Sequence, residues 1–255
     1  MRNFAVDLAR QAGHILRTHY NTGLHARTKS TDVDLVTQAD LESEALILEA
    51  IRHTYPEHAI LSEESGRSGQ AGQEYQWIVD PLDGTTNFAH AFPLFAVAIT
   101  LVHRDALVLA VTYDPLRDEM FVAERGQGTT LNGRAVSVSK TDRLKQSLIG
   151  TGFAYIRAET ERNNLNQFNR VMPVVQGIRR AGSAALDLAY VACGRLDGYW
   201  EFHLNPWDWL GGSLLVEEAG GRISNLDGGP PGLDDRDLIA SNGWIHRELL
   251  ETIGG

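Results

Sequence analysis

Residues 77–88 read WIVDPLDGTTNF, and the rest of the chain is organised around that stretch. Trp77, Ile78 and Val79 are bulky and β-favouring, so they read as the end of a buried strand. The strand is expected to stop at Asp80, because Pro81 has no N–H to give to a ladder. Asp83 follows across a turn built by Pro81 and Gly84, and Gly84, Thr85 and Thr86 then bring backbone N–H groups and two hydroxyls. Two carboxylates are thus pinned at a strand end beside hydrogen-bond donors. Carboxylates held this close repel, and one keeps its proton unless a divalent cation sits between them. Hard cations such as Mg2+ take oxygen ligands and commonly share them with a substrate phosphate, which the donors after Asp83 can cradle. The stretch reads as a metal–phosphate site. The shorter run Asp-Pro-x-Asp-Gly also serves as an ordinary turn in soluble proteins.

The rest of the composition narrows the possible partners. A chain of 255 residues can bury a substantial core as one large domain or two intimate halves. A net charge of -10 with no basic block argues against direct nucleic-acid or anionic-membrane binding. An acidic protein still takes a phosphate where metal ions reverse the local field. The single cysteine, Cys193, leaves no intrachain disulfide, suits a reducing compartment, and in the apolar run YVACG reads as core. Charges inside the apolar pattern of MRNFAVDLARQAG argue against a signal peptide, and no apolar run approaches a membrane span. The expected location is the cytoplasm.

Taken in order, Phe4, Leu8, Ala12, Ile15 and Leu16 predict a helix over 3–20. A second helix is expected from Asp40, with Leu41, Ala45, Leu48 and Ile51 facing inward and Tyr55-Pro56 ending it. A short strand over 59–61 delivers Glu63 and Glu64, and the Gly/Ser-rich stretch 65–73 is expected to be a loop. Runs at 95–102, 107–113 and 119–123 predict an antiparallel meander, followed by a hairpin turning at Asn132-Gly133. The polar stretch 139–146 marks a boundary between an N-terminal α+β half, 1–140, and a C-terminal α/β half, 141–255. In the second half, strands at 147–151, 177–180, 198–201, 222–224 and 238–241 alternate with helices at 160–171, 183–193, 207–218 and 246–253. That alternation predicts a mixed α/β fold with helices layered on both faces of a sheet.

Four acidic features are candidate ligands: Glu63, Asp80, Asp83 and Asp208, the last also placed to act as a helix-start acid. Leu61-Ser62-Glu63-Glu64-Ser65, then Asp80 to Thr86, then Trp207-Asp208 occur here in the order of the motifs of the inositol monophosphatase family. The chain resembles that family of metal-dependent sugar phosphatases from Lys29 to about Gly221. The resemblance implies a layered αβαβα sandwich of the inositol monophosphatase and fructose-1,6-bisphosphatase type. It also implies that Glu63, Asp80 and the Leu82 carbonyl hold one Mg2+, that Asp80, Asp83 and Asp208 hold a second, and that Glu63 reaches a third, weaker ion.

Gly84, Thr85 and Thr86 would face the phosphate, and the Thr85 hydroxyl, held by Asp40, would position the attacking water. Gly182, Ser183 and Ala184 match the segment that lines the sugar pocket. Glu201 matches the glutamate that takes sugar hydroxyls, although a carboxylate there suits a cationic group equally. Lys29 corresponds to a basic residue near the entrance, and Tyr155, Arg157 and Arg162 are further substrate candidates. Trp209 and Leu210 depart from the small residues common after Trp-Asp and would reshape the pocket wall or the packing behind it. The implied activity is Mg2+-dependent hydrolysis of a small polyol phosphate, myo-inositol monophosphate first, by an enzyme sensitive to lithium and assembled as a homodimer. Histidinol-phosphate phosphatase, fructose-1,6-bisphosphatase and a non-catalytic regulatory partner are the alternatives.

Overall fold

The computed structural model describes residues 1–20, 27–28, 35–69 and 72–254, so Lys29 lies outside the described residues, as do Gln70 and Ala71 of the Gly/Ser stretch. Helices are α1 (Arg2–His19), α2 (Gln38–Thr54), α3 (Thr85–Ala89), α4 (Leu165–Val171), α5 (Ala184–Ala192), α6 (Pro206–Glu218) and α7 (His246–Gly254). Strands are β1 (Arg27–Thr28), β2 (Leu35–Val36), β3 (Ala59–Ser62), β4 (Gly66–Ser68), β5 (Tyr75–Asp83), β6 (Ala96–His103), β7 (Ala106–Asp114), β8 (Glu119–Glu124), β9 (Gly128–Leu131), β10 (Arg134–Val136), β11 (Leu148–Thr151), β12 (Gly177–Arg179), β13 (Gly198–Glu201), β14 (Arg222–Ser224) and β15 (Leu238–Ser241).

Two sheets form the frame. The first is eight-stranded, ordered β10-β9-β8-β7-β6-β5-β3-β4, and its one parallel pair among the described residues is β3 with β5. The second is five-stranded, β12-β11-β13-β15-β14, with β11 parallel to both neighbours. Strand alternation distributes their side chains between layers. Trp77 and Val79 of β5 pack with Leu8 and Leu16 of α1 and Ile47 of α2, whereas Ile78 between them enters the opposite core. Tyr199 of β13 joins that central core, and Trp200 turns outward to meet Leu249 and Ile253 of α7.

The central layer is α5 and α6, which pack on each other between the sheets, so both are apolar nearly all round. Gly212 allows their close approach, since a Cβ there would lie 2.5 Å from Leu188 Cβ. The order is therefore α1/α2, first sheet, α5/α6, second sheet, α4/α7: the layered αβαβα sandwich. Trp209 and Leu210 are buried in the middle layer, so they act on packing behind the cleft and do not line it.

The structure corrects four local expectations. Strand β5 does not end at Asp80; it runs to Asp83 through a bulge, with Asp80 opposite Ala98 and Asp83 opposite Ala96. Pro81 fits inside the bulge, where a strand can forgo a ladder donor. The buried face of α2 is Asp40, Ser43, Glu44, Ile47, Leu48 and Ile51, while Leu41 and Ala45 are exposed. Buried polar residues rotate the helix away from the phase its apolar residues implied. Residues 66–68 form a strand paired with β3 where a loop was expected. The helix expected over 160–171 begins only at Leu165, because Asn164 takes φ 70. There its side chain bonds Thr151 Oγ1, the Gly152 carbonyl and Trp200 Nε1.

Candidate active site

The cleft is assembled from strand and helix ends. Parallel pairing sets Ser62 beside Val79, so Glu63 and Asp80 leave adjacent strands at the same end. The Glu63 amide donates to the Val79 carbonyl at 3.2 Å. The bulge then places Asp83 within reach of the start of α5, where its Oδ2 accepts from Ser183 Oγ and the Ala185 amide, both at 2.7 Å. Asp208 is the third residue of α6, after Pro206 at the first position. It caps that helix through one oxygen, Oδ2 accepting from the Asn205 amide at 2.6 Å. The helix-start and cleft roles of Asp208 therefore coexist, because it lines the same cavity as Asp80, Asp83 and Glu63.

Electrostatics couple these acids. Burial raises Asp80 well above the ordinary carboxyl range, and Glu63, Asp83 and Asp208 raise it further. Asp83 is pushed up to about 6, chiefly by burial and against its hydrogen bonds from Ser183 and Ala185. Burial and then Glu63 raise Asp208 well above its ordinary value. Among the described residues these side chains do not stand as a closed ligating set; a shared unfavourable field relates them. The oxygens of Asp80, Asp83 and Asp208, which resist ionisation together, fit an oxygen-seeking divalent cation, which would stabilise their charged forms.

The neighbouring groups follow the same logic. Thr85 Oγ1 lies 3.1 Å from both Asp40 Oδ1 and the Leu82 carbonyl, while Asp40 Oδ2 accepts from the Thr37 amide at 2.8 Å. Gly84 must be glycine: at φ 103 an added Cβ would lie 3.1 Å from the Leu94 carbonyl and 3.3 Å from that of Gly182. Gly84 and Thr85 line the cleft, whereas Thr86 does not. At the far wall stand Gly182, Ser183, Ala184 and Glu201, with Tyr155. Ser183 is tied to Asp83, so it links the two walls. Arg157 bonds the Ala154 carbonyl, and Arg162 pairs with Asp237 at 2.6 Å over the Phe202 ring; neither lines the cleft. Cys193 is half-buried against the central core.

Glu201, accepting from the Tyr199 hydroxyl, is raised to about 7, first by burial. Three groups near it escape sequence reasoning. Gly152 is one: a Cβ there would lie 1.9 Å from Glu201 Oε2, so this glycine makes room for that carboxyl. Asp187 is another, 2% exposed and with Oδ1 lacking a hydrogen-bond partner; its one sequence signal is an acid inside the apolar run AALDLAYVA. Arg180 completes the wall and carries no motif at all. The cavity has a volume of about 310 Å³, the size of a small-molecule site.

Two expectations arise here. Gly152→Ala should displace Glu201 and lower kcat/KM on the order of 10²-fold, the scale of an ångström's misplacement. A folded variant with unchanged kcat/KM would remove Glu201 from substrate contact. The second concerns pH. Because Asp83 binds its proton more tightly folded than unfolded, it favours the metal-free fold below its unfolded value of 3.8 and loses that contribution as pH rises to about 6. The melting temperature of chelator-treated protein, less that of Asp83→Asn, should therefore fall from pH 4 to pH 6. A rise across that window would contradict the assignment.

Comparisons with known proteins agree with this geometry. The model of the inositol monophosphatase family matches residues 1–254. The chain is 50% identical over 220 residues to the inositol-1-monophosphatase of Synechocystis, covering 86% of this chain and 77% of that protein. It is 43% identical over 259 residues to the Pseudomonas aeruginosa protein named Nus factor SuhB, covering 99% and 95%. The solved inositol monophosphatase of Anabaena (Nostoc) superposes with a TM-score of 0.89 at 44% identity, covering 98% of this chain and 94% of that one.

Proposed function

The chain belongs to the inositol monophosphatase family, which places it among phosphoric monoester hydrolases, and from that premise we propose that it hydrolyses a small polyol phosphate, myo-inositol monophosphate first, with Mg2+. The observation that carries the reading is the gathering of Glu63, Asp80, Asp83 and Asp208 around one cavity, with Asp80 raised first by burial and then by the charges of the other three. These carboxylates and the Leu82 carbonyl would hold two ions, with a third reached from Glu63. Bound there, such ions make water nucleophilic near neutral pH and stabilise charge on the phosphoryl oxygens and the leaving alkoxide.

The protein's own groups orient the reaction. Asp40 and the Leu82 carbonyl accept the Thr85 hydroxyl proton, which leaves a Thr85 lone pair to align the attacking water. The amides of Gly84 and Thr85 would receive phosphate oxygens; Thr86, off the cleft wall, would contribute least. Gly182, Ser183 and Ala184 would shape the sugar pocket, and Glu201 would accept hydroxyl protons. In this scheme residues 1–140 supply most of the cation ligands and 141–255 the substrate wall, with Asp208 crossing between them.

A phosphate-release panel of inositol phosphates, histidinol phosphate, fructose 1,6-bisphosphate and nucleotide phosphates tests the reading. A dominant rate on histidinol phosphate would replace the substrate, and no Mg2+-dependent release from any of them would end the proposal. Lithium is expected to inhibit, and turnover that persists in high lithium would contradict that. Light scattering should give a homodimer. No described helix is long and apolar enough to cross a membrane, and the lone cysteine accords with a cytoplasmic site. A second reading, binding to a protein partner, draws on the names of relatives called Nus factor SuhB, those of Pseudomonas and Escherichia coli among them.

A further inference from the structure

Helical spacing puts Asp40, Ser43 and Glu44 on one side of α2, and all three are buried, at 0%, 0% and 4% exposure. Each bonds a different segment that carries cleft residues. Asp40 meets Thr85, and Ser43 Oγ donates to the Pro81 carbonyl at 3.0 Å, inside the bulge between Asp80 and Asp83. Glu44 makes the most contacts. Its Oε1 accepts from Ser62 Oγ at 2.5 Å and from the amides of Glu64 and Ser65 at 3.1 Å each. Its Oε2 accepts from Ser65 Oγ at 2.5 Å. Both oxygens are therefore acceptors, and their donors bracket Glu63 on either side.

We propose that Glu44 is the positioning residue for Glu63: its carboxylate clamps the 62–65 turn and so fixes where Glu63 meets the cation held with Asp80. The chain reverses from β3 to β4 at this turn, whose other anchor is the Glu63 amide on the Val79 carbonyl. With Glu44 gone, two amides and two hydroxyls lose a buried acceptor, and the turn that carries Glu63 loses four of the bonds that fix its path. Groups that orient a ligand from behind are worth about 10–100-fold in metal affinity. The inference rests on the reading of Glu63 as a cation ligand.

The test is Mn2+ binding by titration calorimetry without substrate, on the full chain. Glu44→Ala should bind Mn2+ about 10–100-fold more weakly while still melting cooperatively. In turnover, its half-saturating Mg2+ should rise while KM for the ester at saturating Mg2+ stays near wild type. Glu42→Gln, on the exposed side of the same helix, should bind like wild type. Glu44→Ala with a lowered melting temperature but unchanged Mn2+ affinity would make Glu44 merely structural and overturn the proposal. Should Glu44→Ala fail to fold, Glu44→Asp, one methylene shorter, decides by the same criterion. If Asp83→Asn loses Mn2+ and the Glu44 variants keep it, only the positioning role falls. If wild type binds no Mn2+, both readings fall.

Discussion

Asp83→Asn is expected to lower phosphate release by about three powers of ten, the equivalent of roughly 4 kcal/mol of transition-state stabilisation. The fold should survive, because an Asn oxygen can still accept from Ser183 Oγ and the Ala185 amide, the two bonds that seat Asp83 at the start of α5. What changes is the charge. Burial already pushes the Asp83 carboxyl up to about 6, so near neutral pH the metal-free protein carries an ionised group in an unfavourable site. Removing it should leave the metal-free melting temperature equal to or above that of wild type. The rise in melting temperature on adding Mg2+, present in wild type, should shrink or vanish. A protein-partner role would persist through this substitution, which separates the two readings. Undiminished hydrolysis would remove Asp83 from the cation site.

Trp209→Ala is expected to cost about 3–5 kcal/mol, a large part of the 5–15 kcal/mol that holds a typical domain together. Trp209 is 2% exposed and lies in the α5/α6 layer, where one cavity would weaken packing toward both sheets. Its Nε1–H finds no hydrogen-bond partner among the described residues. Trp209→Phe should therefore lie within about 1–2 kcal/mol of wild type, since losing an orphaned donor offsets part of the smaller cavity. Urea unfolding of the pair checks this, and a Phe variant as unstable as the Ala variant would contradict the packing argument.

The layers were legible where side-chain chemistry and burial agree. Strand-like apolar runs separated by turns marked the β6–β8 meander, and the alternation of strands with helices in the second half anticipated helices layered against a sheet. Legibility failed where polar residues go inside. Reading α2 by its apolar residues pointed Leu41 and Ala45 inward, whereas Asp40, Ser43 and Glu44 are buried because each has partners from distant segments. Pro81 implied a strand end because a bulge cannot be read from one strand without its neighbour.

The acidic motifs located Glu63, Asp80, Asp83 and Asp208, yet their common cavity depends on two sheets meeting. Gly152 carries no local pattern and Asp187 only that of an acid inside an apolar run, since their importance lies in what stands opposite: the Glu201 carboxyl in one case, the Glu201 and Arg180 charges in the other. Thr86, Arg157 and Arg162 show the converse. Thr86 sits inside a motif yet lies off the cleft wall, and Arg157 and Arg162, named as substrate candidates, serve other contacts.

The most direct measurement is anomalous diffraction from a crystal soaked in Mn2+. The strongest peaks are expected in the cleft, within ligating distance of Asp80 and shared with Glu63 on one side and with Asp83 and Asp208 on the other. A map with no peak there, or with Mn2+ only at surface carboxylates while the enzyme remains active, would contradict the reading of this cleft as a cation-assisted phosphatase site.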